Sequence, residues 1–126
     1  MLGWVKKQIK LLDLQNVFSF GRYPIDQMPN FFQKANIMLL TLKTSPISDI
    51  TVPAKLQAYL ASGKIILGAI NGEAKTLIND FEVGLACDSG DFKTLALNAV
   101  ILKNLPKEQI IKMESNSRNL YLRTYS

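Results

Sequence analysis

At 126 residues and 48% apolar content the chain is one domain, large enough to bury a core, and its composition gives no sign of disorder. The formal charge of +5 comes from fifteen Lys and Arg scattered along the sequence, with no aromatic-interleaved basic stripe, so a nucleic-acid module is not expected and a mildly basic surface is. A single cysteine and no histidine exclude an internal disulfide, an imidazole zinc set, and Ser-His-Asp or Cys-His chemistry within the chain.

The first predicted element is an amphipathic helix over residues 2–13: Leu2, Val5, Ile9 and Leu12 recur at helical spacing, with Lys6, Lys7 and Lys10 outside. The same stretch is too charged for a signal peptide, and no apolar run reaches the roughly twenty residues of a spanning helix. A reducing cytoplasm is the expected compartment. Residues 16–20, NVFSF, make a short β-rich run ended by Gly21, with Arg22, Tyr23 and Pro24 in a loop. A helix broken early by Pro29 continues through Phe31, Phe32 and Ala35. Residues 36–42, NIMLLTL, have the unbroken apolar centre of a strand covered on both faces.

Residues 49–64, DITVPAKLQAYLASGK, form the stretch around which the rest is arranged. Pro53 fits a first helical position, and Leu56, Tyr59, Leu60 and Gly63 make one buried stripe. Ala54, Ala58 and Ala61 form a neighbouring small-residue face suited to close packing on a sheet, and Gly63 supplies a left-handed cap. Beyond it lie a strand over 64–70, a turn at Asn71 and Gly72, and a short helix through Leu77 and Ile78. A strand over 84–87, a turn over 88–91 and a helix over 92–102 follow. Pro106 opens the last helix, with Ile110, Met113, Ser117, Leu120 and Thr124 on one face. Alternation of strands and helices predicts an α/β fold, a Rossmann-like parallel sheet of about four strands with helices on both faces.

In such sheets ligands bind beyond the carboxyl ends of the strands, near the point where strand order reverses. That rule selects Gly21, Arg22 and Tyr23; Lys43, Thr44 and Ser45; residues 69–73, including Gly72 and Glu73; and Cys87 with Asp88. The amino end of the Pro53 helix offers unpaired amides and a positive dipole end, with Ser45, Ser48, Thr51 and Lys55 nearby. Lys55 is the best single candidate, because a cation in a first turn opposes the dipole and a phosphate would offset that cost. Tyr59 is read as core, Glu73 as a helix cap and Cys87 as packing.

Several stretches carry a resemblance: NVFSFGRYP, PNFFQKANIMLL, TVPAKLQAYLASGKIILGAINGE, VGLACDSGD and the closing SNSRNLYLRTYS. In order and spacing they resemble the carboxyl-terminal, donor-binding half of a family 4 retaining glycosyltransferase with two Rossmann-like domains. The likeness is greatest to bacterial fucosamine transferases of surface-polysaccharide synthesis. The resemblance implies a nucleotide-sugar-binding domain over residues 1–126, with Gly21, Arg22 and Tyr23 near the base. It also implies backbone amides of residues 51–56, among them Thr51, Val52, Lys55 and Leu56, facing the diphosphate and sugar. The family's pair of glutamates would fall at Ile50 and Ala58, neither a carboxylate, and Asp49 stands beside the first.

The resemblance further implies that the chain is a fragment truncated at its amino end, without the first, central strand, the phosphate-gripping cations or the acceptor domain. An exposed sheet edge would then favour a homodimer. The partners implied are a nucleoside diphosphate sugar, UDP-linked, and a lipid-linked or polysaccharide acceptor reached through the missing domain. No cofactor and no metal are expected, and the whole enzyme would be cytoplasmic or peripheral at the inner face of the membrane. The alternatives are a nucleotide-sugar epimerase-like domain and a non-catalytic flavodoxin-like binding module.

Overall fold

The computed structural model describes residues 2–17, 25–43 and 52–125. Its elements in chain order are α1 (Leu2–Leu11), a short 3-10 turn (Ile25–Gln27), α2 (Met28–Lys34), β1 (Ile37–Thr41), α3 (Ala54–Ala61) and β2 (Ile65–Ala69). They continue with α4 (Glu73–Asp80), β3 (Gly84–Cys87), α5 (Phe92–Lys103) and α6 (Lys107–Thr124). Among the described residues the sheet is parallel, three-stranded and ordered β1-β2-β3, with Leu39 beside Leu67 and Leu67 beside Leu85. The architecture is α/β, as the alternation predicts, with three strands rather than about four. Of the strand expected over 16–20, Asn16 and Val17 lie in irregular backbone after α1, and the remainder falls outside the described residues.

Strand alternation sends β2 side chains to two separate cores. Ile66 and Ile70 join Leu40, Leu56, Leu60, Ala74, Ile78 and Leu120 on one face, where α3 and α4 lie. Ile65 joins Leu102 and Met113 on the other, where α5 lies. Burying Ile65 on one face and Ile66 on the other is worth about 2 kcal/mol each, and this burial on both faces holds β2 at the centre. Helix α6 reaches both cores, Met113 in one and Leu120 in the other. Between them the buried Ser117 donates its hydroxyl to the Lys64 carbonyl at 2.7 Å, at the amino end of β2. Thr124, expected on that face, is exposed instead.

Helix α3 buries Leu56, Tyr59 and Leu60, as its spacing predicts, and Tyr59 meets Phe32 edge-on at 5.4 Å. Its carboxyl end closes with the Gly63 amide on the Leu60 carbonyl and the Lys64 amide on the Tyr59 carbonyl. Gly63 has φ of +67°, the left-handed conformation such a cap requires. Four further expectations need correction. Pro53 is extended at ψ 147° and stands just before the helix, which starts at Ala54. Ala54, Ala58 and Ala61 face solvent, because the larger side chains of the opposite stripe gain more from burial. Residues 36–42 are not covered on both faces either: Leu39 is 55% exposed, since α5 packs over β2 and β3 rather than β1. Pro29, expected to break its helix, occupies the first turn of α2, where its missing N–H costs nothing.

At the other margin the Asn79 side chain occupies the edge of β3. Its Nδ2 donates to the Ala86 carbonyl at 3.0 Å, and its Oδ1 accepts the Ala86 amide at 2.9 Å. A carboxamide can mimic a neighbouring strand in this way and protects an edge from further pairing.

Candidate functional site

The turns that leave the three strands are tied together by side chains. After β1, the Leu42 amide donates to the Ala69 carbonyl at 3.2 Å, and the Leu42 carbonyl accepts the Ser89 hydroxyl at 2.6 Å. After β2, Oδ1 of Asn71 accepts the Ser89 amide at 3.0 Å. Ser89 therefore joins all three turns. Lys75 in the first turn of α4 meets Asp88 at 2.6 Å; both groups are solvated, so this ion pair adds little stability and serves to restrain the turn. The stretches 69–73 and 87–88, separated in sequence, form one platform at the carboxyl edge of the sheet, as the ligand-end rule requires. Strand order in the described sheet is consecutive, so no reversal point lies within it.

On the α5 side of this edge lies an open cleft of about 630 Å³ bounded by Thr41, Leu42, Lys43, Ala69, Ser89, Gly90 and Phe92. The Phe92 side chain stands at its rim, 74% exposed. Lys43 comes from the expected 43–45 turn. Ala69 comes from the expected 69–73 stretch, and among the described residues Val52, Lys55, Leu56, Gly72 and Glu73 do not line the cleft.

Helices α3, α4 and α5 all begin at the carboxyl edge, so three sets of amino-terminal amides face it, and their charges differ. At α5, Asp91 caps the helix by accepting the Thr94 amide at 3.2 Å, and hydrogen bonds from Thr94 hold its carboxyl below the usual range. At α4, Glu73 supplies an acid in the first turn, exposed and without a capping bond, and Gly72 stands at the N-cap. Gly72 has φ of +75° and ψ of −146°, a conformation open in practice only to glycine. Helix α3 has no acid in its first turn and carries the exposed Lys55 there.

Each of the three first turns carries a lysine, Lys55, Lys75 or Lys93, and among the described residues α4 and α5 add a carboxylate, Glu73 or Asp91, which α3 does not. Its Leu56 and Gln57 amides both reach the Pro53 carbonyl, at 3.1 and 3.4 Å, whereas those of Ala54 and Lys55 have no partner among the described residues. Leu56 leaves the candidate set on this ground: its side chain is 0% exposed in the core and its amide is engaged. Val52 is half-buried and packs on the same core as Leu56, at the entrance to the helix.

Gly21, Arg22, Tyr23, Ser45, Asp49 and Thr51 lie outside the described residues. Val52, Lys55, Gly72 and Glu73 remain, all on the turns or first helical residues that follow the carboxyl edge. Tyr125, which the sequence did not single out, belongs near them. It packs on the α3 and α4 core, and burial followed by the negative charge of Glu73 pushes its phenol up. Tyr59 and Cys87 are core residues as expected. The Cys87 thiol is raised first by burial and then by the charge of Asp91. Among the described residues no cluster of His, Cys, Asp and Glu could hold a metal ion, and no helix is long and apolar enough to cross a membrane.

Comparisons with protein-family models, with curated proteins and with solved structures returned no match for this chain.

Proposed function

We propose that the chain is the donor-binding half of a retaining glycosyltransferase and holds a nucleoside diphosphate sugar, UDP-linked, at the amino end of α3. The observation that carries this reading is the uneven charge of the three helix ends at the carboxyl edge. Glu73 and Asp91 balance two of them, and α3 presents the Lys55 ammonium together with the Ala54 and Lys55 amides, which have no partner among the described residues. Backbone donors, a dipole end and a cation in one turn suit a diphosphate. As the bond from the sugar to the diphosphate breaks, negative charge grows on the departing phosphate oxygen, and donors already fixed in place stabilise it without reorganising. The Rossmann-like character of the sheet and the Ser89 platform support the same reading. The acceptor, a lipid-linked glycan or polysaccharide, would be presented by a separate domain.

Titration calorimetry with UDP, UDP-glucose and uridine tests the reading. Binding of the two diphosphates but not of uridine, weakened about tenfold or more by Lys55→Glu, is expected, since a charged hydrogen-bond donor is being replaced by a repelling group. Indifference to both diphosphates would overturn it.

A further inference from the structure

The edge of the sheet opposite the Ser89 platform holds a second cavity, which the donor reading does not use. Ile37 and Ile65 form the first pair of the β1 and β2 register, and both belong to the core on the α5 side. Helix α5 packs over β2 and β3 rather than β1, so the space beside Ile37 is left unfilled. A recess of about 380 Å³ remains there, walled by Ile37, Ile65, Leu102 and Ile110, with Asn36, Lys103 and Glu114 as its polar members. The buried Ile65 and Leu102 mark its closed side, and the exposed Asn36 and Lys103 with the half-buried Glu114 mark its open one. The two charges are opposite and uncommitted: neither the Lys103 ammonium nor the Glu114 carboxylate has an ion-pair or hydrogen-bond partner among the described residues. The nearby cations point elsewhere. Lys64 donates to the Ala35 carbonyl at 2.9 Å, and Arg118, one turn after Glu114, extends over Gly63, where an added Cβ would meet its Nη2 at 2.8 Å.

We infer that this recess binds a free α-amino acid with a branched aliphatic side chain. The aliphatic tail lies among Ile37, Ile65, Leu102 and Ile110, the ligand ammonium meets Glu114, and its carboxylate meets Lys103, with the Asn36 carboxamide beside them. Charge complementarity selects this occupant. A fatty acid with the same tail would be repelled by Glu114, and an aliphatic amine would be repelled by Lys103, whereas a zwitterion satisfies both. The cavity stands at the lower end of the range of roughly 300–1,000 Å³ typical of small-molecule sites, which suits a ligand of this size. The inference is independent of the donor reading, since it concerns the opposite edge of the sheet, and it survives the failure of that reading.

Thermal melts with L-leucine test it, with glycine, isocaproate and isoamylamine as controls that lack the tail, the ammonium and the carboxylate in turn. Leucine should raise the melting temperature saturably, as a ligand held only by the folded state must, and each control should need at least about tenfold more for the same shift. Lys103→Gln and Glu114→Gln change solvent-facing side chains and should keep the ligand-free melting temperature, while each weakens leucine about tenfold or more. In methyl spectra of the labelled protein, the Ile37, Ile65 and Ile110 signals should move with leucine. The proposal is overturned if leucine moves neither the melt nor these methyl signals. It is also overturned if glycine or isocaproate matches leucine at equal concentration, or if both variants bind leucine as the parent does.

Discussion

Ser89 and Leu42 are 47 residues apart in sequence and joined by a 2.6 Å hydrogen bond, hydroxyl to carbonyl, across the carboxyl edge of the sheet. The contact binds the turn after β3 to the turn after β1, and the Ser89 amide adds the turn after β2 through Asn71. Ser89→Ala keeps the backbone link and removes the hydroxyl one. The expected loss is about 1 kcal/mol in urea denaturation with an unchanged slope, and weaker UDP binding. An unchanged midpoint and unchanged affinity would show that the platform holds without this bond.

Gly84 marks a place where no side chain fits. A Cβ there would fall onto the Ile66 carbonyl, at the first pair of the β2 and β3 register. Gly84→Ala should cost about 3 kcal/mol or more and reduce soluble yield, because backbone must move to relieve the overlap. Gly3→Ala is the matched control: the site is open and helical, so stability should rise by about 0.5 kcal/mol. Thermal melts of the two variants side by side measure the contrast.

The cap of α5 carries a pH signature. Hydrogen bonds from Thr94 place the Asp91 carboxyl below its unfolded value. The stability this adds is present above the ordinary Asp range and lost as pH falls through the lowered folded value. Melting of the parent and of Asp91→Ala should therefore differ at pH 7, with the parent higher, and converge in strong acid. A difference independent of pH would mean that the carboxylate charge is not what caps the helix.

Much of the fold is legible locally. The apolar runs over 36–42, 64–70 and 84–87 coincide with β1, β2 and β3 to within a residue at each end, and at β2, buried on both faces, this is because a doubly covered strand must be apolar throughout. Gly63 likewise announces its left-handed cap, and the stripe of Leu56, Tyr59 and Leu60 announces the buried face of α3. Burial that depends on distant elements is not legible in this way. Leu39 looks as apolar as Leu40, yet only Leu40 is buried, since the reach of α5 decides the matter. The alanines of α3 fit a packing face by composition and end in solvent because the leucine stripe takes the core. At the candidate site, Lys55 stands out in the sequence by its conflict with the helix dipole. The Ser89 ties and the approach of Tyr125 to Glu73 depend on turns meeting in space, and a serine in a turn or a tyrosine near a chain end gives no local sign of either.

The central claim is that the Ala54 and Lys55 amides opening α3 receive a diphosphate. Two-dimensional nitrogen–proton correlation spectra of the labelled protein, recorded with increasing UDP and separately with uridine, test this claim most directly. The account predicts that the Ala54 and Lys55 amide signals move progressively with UDP and stay in place with uridine, while the Gln57 amide, already bonded within the chain, moves far less. Stationary Ala54 and Lys55 signals at saturating UDP, or equal movement with uridine, would contradict it.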